Sequence, residues 1–110
     1  MATIEDFQKI DMRVGRIVDV KEVKGSRKPS YHLTIDFGPL GTRQSVAAAR
    51  TDYPDPADLV GLQVVCVVNF PPRRVAGISS EVLVLAATQE DGTLRLLRPD
   101  SDTELGARIT

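Results

Sequence analysis

The segment YHLTIDF, residues 31–37, alternates apolar and polar side chains without a break. Tyr31, Leu33, Ile35 and Phe37 fall on one side; His32, Thr34 and Asp36 fall on the other. That period of two belongs to a strand with one face buried, and no helix places those residues on two clean sides. Similar short runs recur along the chain with turn residues between them. MRVGRIVDV puts Met12, Val14, Val18 and Val20 on one face, and its Gly15 predicts a bulge or a sharp coil. TRQSVAAA reads as a third strand rich in small residues. LQVVCVVNF is apolar almost throughout, the pattern of a strand covered on both faces. EVLVLAA and TLRLLRP read as two more strands, joined by the turn QEDG.

Two segments depart from the strand period. TIEDFQKI spaces Ile4, Phe7 and Ile10 for one helix face, with Thr3 as N-cap and Asp6 three residues on. A helix this short gains its stability from what it packs against. The breaker-rich RTDYPDPADLVG predicts a helical turn around residues 58–60. An all-β fold with one helix at the start and one helical turn between strands three and four matches a Greek-key barrel of OB type over residues 1–110, as one domain. In that fold the loop between strands one and two (EVKGSRKPS) and the loop between strands four and five (PPRRVAGISS) flank the ligand-binding face.

The second of these loops concentrates the chemistry. Pro71 and Pro72 fix φ and stiffen the exit from strand four. Arg73 and Arg74 offer planar forks of donors suited to phosphate or carboxylate. Gly77 permits positive φ, and Ser79, Ser80 and Glu81 add hydroxyls and one carboxylate. Gln44 and Ser45 on strand three share the same face of an antiparallel barrel. Lys24, Arg27 and Lys28 on the other loop complete a cationic rim if the two loops are neighbours. The plain alternative is a solvated basic hairpin with no ligand.

Bulk properties narrow the function further. Net charge is −1 over 110 residues, so any anion site is a local patch and not a whole-protein field. Aromatic residues make up 5% with no tryptophan, too few for a base-stacking sheet. Cys66 alone makes neither a disulfide framework nor a metal site, and His32 has no second ligand beside it. No cofactor is expected. No nucleophile–histidine pair, phosphate-cradling loop or paired carboxylates stand out, so catalysis is not expected. The N-terminus lacks a secretory h-region and no stretch is long enough to span a membrane, which reads as a cytoplasmic protein without membrane insertion.

Four motifs in order resemble the tRNA-binding domain family, an OB-fold module found free-standing and attached to some aminoacyl-tRNA synthetases. They are DMRVGRIV (11–18), IDFG (35–38), LVGLQVV (59–65) and NFPPRRVAGISSEVLVLAA (69–87). Val82 and Leu83 stand where tRNA-binding relatives usually have Gly and Met. With RQS at 43–45, this is similar to the free-standing CsaA-type branch, chaperone-like proteins linked to preprotein export. The resemblance implies a homodimer built with the N-terminal helix, whose stripe is Ile4, Phe7 and Ile10, and the C-terminal strands. It implies a pocket made of Gln44, Ser45, Asn69, Arg73, Arg74, Ser80, Glu81 and Leu83. Val46, Ala47, Ala48 and Ala49 replace residues that are often polar or Gly in relatives, which favours an apolar side chain over a base. The expected partner is therefore an unfolded or export-bound polypeptide. tRNA, bound by phosphate and shape, is the alternative, and a dimeric adaptor without a ligand pocket is the second.

Overall fold

The structure is a computed structural model that describes residues 1–110. The chain runs through α1 (Ile4–Gln8), β1 (Met12–Val23), β2 (Ser30–Asp36), β3 (Thr42–Ala47), β4 (Gln63–Val67), β5 (Arg73–Val75), β6 (Ile78–Ser80), β7 (Leu83–Val84), β8 (Ala86–Thr88) and β9 (Leu94–Leu96). Single 3-10 turns lie at Gly38–Leu40 and Pro56–Asp58. Five strands form one curled antiparallel sheet in the order β3-β2-β1-β4-β7, the OB-type barrel that the strand pattern predicts. Two hairpins, β5-β6 and β8-β9, stand off it.

β1 organises the barrel because it is long enough to serve two partners. Residues 12–16 pair with β4 and residues 16–23 pair with β2. Its start also takes the C-terminal segment: Val14 N–H donates to Ala107 O at 3.0 Å, and Ile109 N–H to Met12 O at 2.9 Å. The bulge expected at Gly15 falls instead between Ile17 and Asp19. It turns Ile17 into the core and leaves Val18 exposed, reversing the face that simple alternation assigns to Val18. Gly15 has a different duty. A Cβ there would lie 2.5 Å from Ile35 Cγ2 and 2.7 Å from Phe37 Cε1, so the glycine lets two β2-side residues cross over β1.

The core follows from the β2 alternation. Tyr31, Leu33, Ile35 and Phe37 are all buried, and they pack with Ile17, Leu59, Val64, Cys66 and Val82. Every residue of β4 is buried, as its apolar run requires. Tyr31 is placed without an unpaired hydroxyl, donating to Tyr53 O at 2.7 Å. The 3-10 turn at Pro56–Asp58 lies two residues before the predicted position and is capped by Asp55, which accepts from Ala57 N–H. It delivers Leu59 to the barrel end. At the N-terminus both bonds of the capping box form: Asp6 N–H to Thr3 Oγ1 at 3.3 Å and Thr3 N–H to Asp6 Oδ2 at 3.0 Å. EVLVLAA is not one strand. It divides into β7 and β8, which belong to different sheets, because residue 85 is shared: Leu85 N–H bonds to Val65 O while Leu85 O accepts from Leu97 N–H.

Cys66 is a core hydrophobe whose thiol burial pushes up to about 12 from an ordinary value of 9.0. A raised folded-state pKa contributes stability that is present below about pH 9 and lost as pH rises toward 12. Thiol-reagent labelling of the native protein at pH 8 should therefore be slow and limited by unfolding. Denaturation series between pH 9 and 12 should show stability falling by up to ~1.4 kcal/mol per pH unit from this group. Cys66→Ala should flatten that limb, leaving the share of Tyr31, whose phenol burial also raises. Rapid labelling of the folded protein at pH 8 would contradict this.

Candidate functional site

The barrel closes between β3 and residues 80–82, and side chains do most of the closing. Only one backbone bond joins them in these positions, Glu81 N–H to Gln44 O at 2.8 Å. Gln44 N–H donates to Glu81 Oε1 at 2.9 Å, and Val46 N–H donates to Ser80 Oγ at 3.0 Å. Ser45 Oγ, fully buried, donates to Val82 O at 2.7 Å. The outward N–H groups of β3, which a neighbouring strand would ordinarily take, are capped by a carboxylate and a hydroxyl. This seam fixes β6 and with it the β5-β6 hairpin. Ala76 and Gly77 both have positive φ, 50° and 81°, the geometry of a two-residue type I′ turn whose twist suits a tight hairpin. Arg73 sits opposite Ser80 and Arg74 opposite Ser79.

Two contiguous clefts lie on either side of Arg73. The first, about 260 Å³, is walled by Phe70, Pro71, Ser80, Glu81 and Leu83. The second, about 380 Å³, runs between the β1–β2 loop and the β8-β9 hairpin. Its floor is Ala47, Ala48, Ala49, Val84 and Leu96, and its rim carries Arg27 and Lys28. Val46, Arg73 and Leu83 line both clefts. The two loops thus do share one rim. Arg27, Lys28 and Arg73 are exposed and have no carboxylate within ion-pair distance. Glu81, half-buried, is also in no ion pair.

The residues singled out from the sequence divide by location. Arg73, Ser80, Glu81 and Leu83 come together on the first cleft. Gln44 and Ser45 form the seam behind it, and the Gln44 amide oxygen lies 2.6 Å from His32 Nε2. Arg74 turns away and donates to Gly77 O at 2.8 Å. Asn69 lies apart from both clefts: its Oδ1 accepts from Asp11 N–H at 2.9 Å and its Nδ2 donates to Lys9 O at 2.8 Å, clamping the chain after α1. Lys24 lines neither cleft. Phe70 joins the first cleft without a motif to mark it; its signal is an aromatic directly before two prolines, where the ring is 43% exposed. Leu94 and Leu96 wall the second cleft; their period-two spacing in TLRLL is the signal that places them on one face.

A third cleft, about 480 Å³, lies far from these loops in sequence, between α1 and the C-terminal segment, with Ile4, Phe7 and Ile109 on it. Ile4 is 63% exposed. Arg108 ties the two pieces, donating to Gln8 O at 3.0 Å and lying 3.7 Å from Asp11, which Arg13 also holds at 2.7 Å.

The family model described as "Putative tRNA binding domain" matches residues 12–108. This chain belongs to the tRNA-binding domain family. Among curated relatives, the methionine–tRNA ligase of Acidithiobacillus ferrooxidans is 44% identical over 106 residues, covering 96% of this chain and 15% of the ligase. The chain therefore spans a small part of the length of such relatives. Among solved structures, chaperone CsaA of Bacillus anthracis str. Ames is 47% identical with a TM-score of 0.92, covering 100% of this chain and 99% of that one. The CsaA chaperone protein of Picrophilus torridus is 43% identical with a TM-score of 0.90, both chains being covered in full. This tRNA-binding-domain protein is thus similar along its whole length to CsaA structures. No helix in it is long and apolar enough to cross a membrane.

The seam makes a direct prediction. Glu81→Ala removes the acceptor of the solvent-exposed Gln44 N–H and should destabilise the fold by about 0.5–1.5 kcal/mol, water replacing part of the bond. Glu81→Gln keeps an oxygen in place and should cost under ~1 kcal/mol. Equal stability of the two variants in urea denaturation would show that the seam bond contributes nothing.

Proposed function

We propose that this chain is a CsaA-like chaperone that holds unfolded or export-bound polypeptide in the cytoplasm, as a binding protein and not a catalyst. The observation that carries this reading is the pairing of an apolar floor with unpaired cations. Ala47, Ala48, Val84 and Leu96 offer no hydrogen-bonding side chain, so they suit an aliphatic or aromatic residue of a client. Arg27, Lys28 and Arg73 around them meet acidic groups or carbonyl oxygens. Phe70 is the one exposed ring, which supports stacking on a single group and not along a strand of bases.

tRNA binding is the second reading. The family match and the same three cations favour it, through phosphate contacts. Both readings fit a two-fold dimer formed through the apolar stripe of α1 and the C-terminal segment, since Ile4, Phe7 and Ile109 otherwise line an open cleft. Arg73, Ser80, Glu81 and Leu83 then act as the contacts of the ligand site, with Gln44 and Ser45 holding it from the seam behind.

Binding of an unfolded preprotein and of a mixed tRNA pool, each at two salt concentrations, separates the readings. Preprotein should bind with modest salt dependence. Arg73→Ala should weaken it about tenfold, while Arg74→Ala, whose guanidinium is already bonded to Gly77 O, should change it less than twofold. Steep salt dependence with tRNA alone, abolished by Arg73→Ala, with no preprotein binding, would favour the tRNA reading. Binding of neither would favour an adaptor. Light scattering should give twice the 12.0 kDa chain mass. Ile4→Asp should shift the protein to the monomer; a wild-type monomer at micromolar concentration would refute the dimer.

A further inference from the structure

The two clefts differ in charge, and the difference has a direction. The second is bordered by cations only, Arg27, Lys28 and Arg73. The first holds Arg73 at its boundary and the one carboxylate of the site, Glu81. Glu81 uses Oε1 on the Gln44 N–H and makes no ion pair within the chain. Its Oε2 is given no hydrogen bond by any neighbouring donor. A half-buried carboxylate with one oxygen uncommitted, facing a cleft wall of Phe70, Pro71 and Leu83, suits a ligand cation on an aliphatic stem. The stem lies along the apolar wall and the ring, and the head reaches the carboxylate. A cation alone would meet repulsion from Arg73. A neighbouring acidic residue on the same ligand, seated over the second cleft, removes that repulsion by pairing with Arg73, Arg27 or Lys28.

We infer that the two clefts form one bipolar groove selecting extended polypeptide segments in which an acidic residue, a small apolar residue and a lysine or arginine follow closely, with Glu81 reading the basic residue. This rests on the polypeptide reading of the site and adds the client's charge pattern to it. Glu81 then has two roles that one substitution separates. Glu81→Gln keeps the seam bond to Gln44 and removes the charge.

Fluorescence anisotropy with three labelled peptides of equal length tests it on the full chain. One carries the acid–apolar–lysine pattern, one has the lysine replaced by glutamine, and one has it replaced by glutamate. Wild type should bind the lysine peptide about three- to fivefold tighter than the glutamine peptide and weakest of all the glutamate peptide. Glu81→Gln should bind the lysine and glutamine peptides equally, whatever its absolute affinity for either. Retained protection of the Gln44 amide from solvent exchange should confirm that the seam is intact in the variant. Equal wild-type affinity for the lysine and glutamine peptides, or a preference that survives in Glu81→Gln, overturns the inference while leaving polypeptide binding standing. Failure of all three peptides and of an unfolded preprotein to bind overturns both. Loss of tRNA binding in Glu81→Gln with no peptide preference assigns the carboxylate to a base amine and likewise overturns it.

Discussion

The side-chain seam between β3 and residues 80–82 is the constraint on which the two clefts and the hairpin between them depend. A sheet in the order β3-β2-β1-β4-β7 ends on β3, and an open end exposes outward N–H groups to any extended chain. Here those groups on Gln44 and Val46 are taken by Glu81 and Ser80, and Ser45 bonds back to Val82 O. The barrel closes without a full strand ladder, and β5-β6 is free to project as a hairpin. Projection is what puts Arg73 between two clefts instead of against the barrel. Pro71 and Pro72 set the departure and the Ala76-Gly77 turn sets the return.

Much of this was legible in the residues because period-two patterns are local. The β2 alternation predicts its buried face residue by residue, and the apolar run of β4 predicts a strand covered on both sides. The capping box at Thr3 and Asp6 is equally local. The misplacements have physical causes. A bulge is decided by where β1 changes partner, so Gly15 signalled irregularity two residues away from where it occurs. EVLVLAA has the composition of one strand, but Leu85 bonds to segments on both sides and divides it. At the site, residue type pointed to Arg73 and Arg74 alike; only the hairpin geometry turns Arg74 back onto Gly77 O and leaves Arg73 outward. Asn69 carries a family motif position, yet its amide is committed to the backbone of residues 9 and 11. No pattern in the sequence reports that pairing across the fold.

Family membership and local chemistry carry separate weight. The tRNA-binding domain match describes the scaffold, which relatives use within much longer ligases and which CsaA structures reproduce along their whole length. The floor of Ala47, Ala48, Val84 and Leu96 is a property of this chain's own residues. It lowers the number of polar groups that could read a base and raises the apolar area that could receive a side chain. The cations above it act locally, since the chain as a whole has a net charge of −1. A small patch of this kind gives orientation and capture at short range more than long-range steering.

The most direct test of the seam is native-state amide exchange at Gln44 and Val46. With Glu81 and Ser80 holding those N–H groups, both should exchange as slowly as the paired amides of β2, through global unfolding. Exchange at the rate of the exposed hairpin tip around Ala76 would mean that the barrel stands open there, and that neither cleft has the fixed wall that the proposed ligand binding requires.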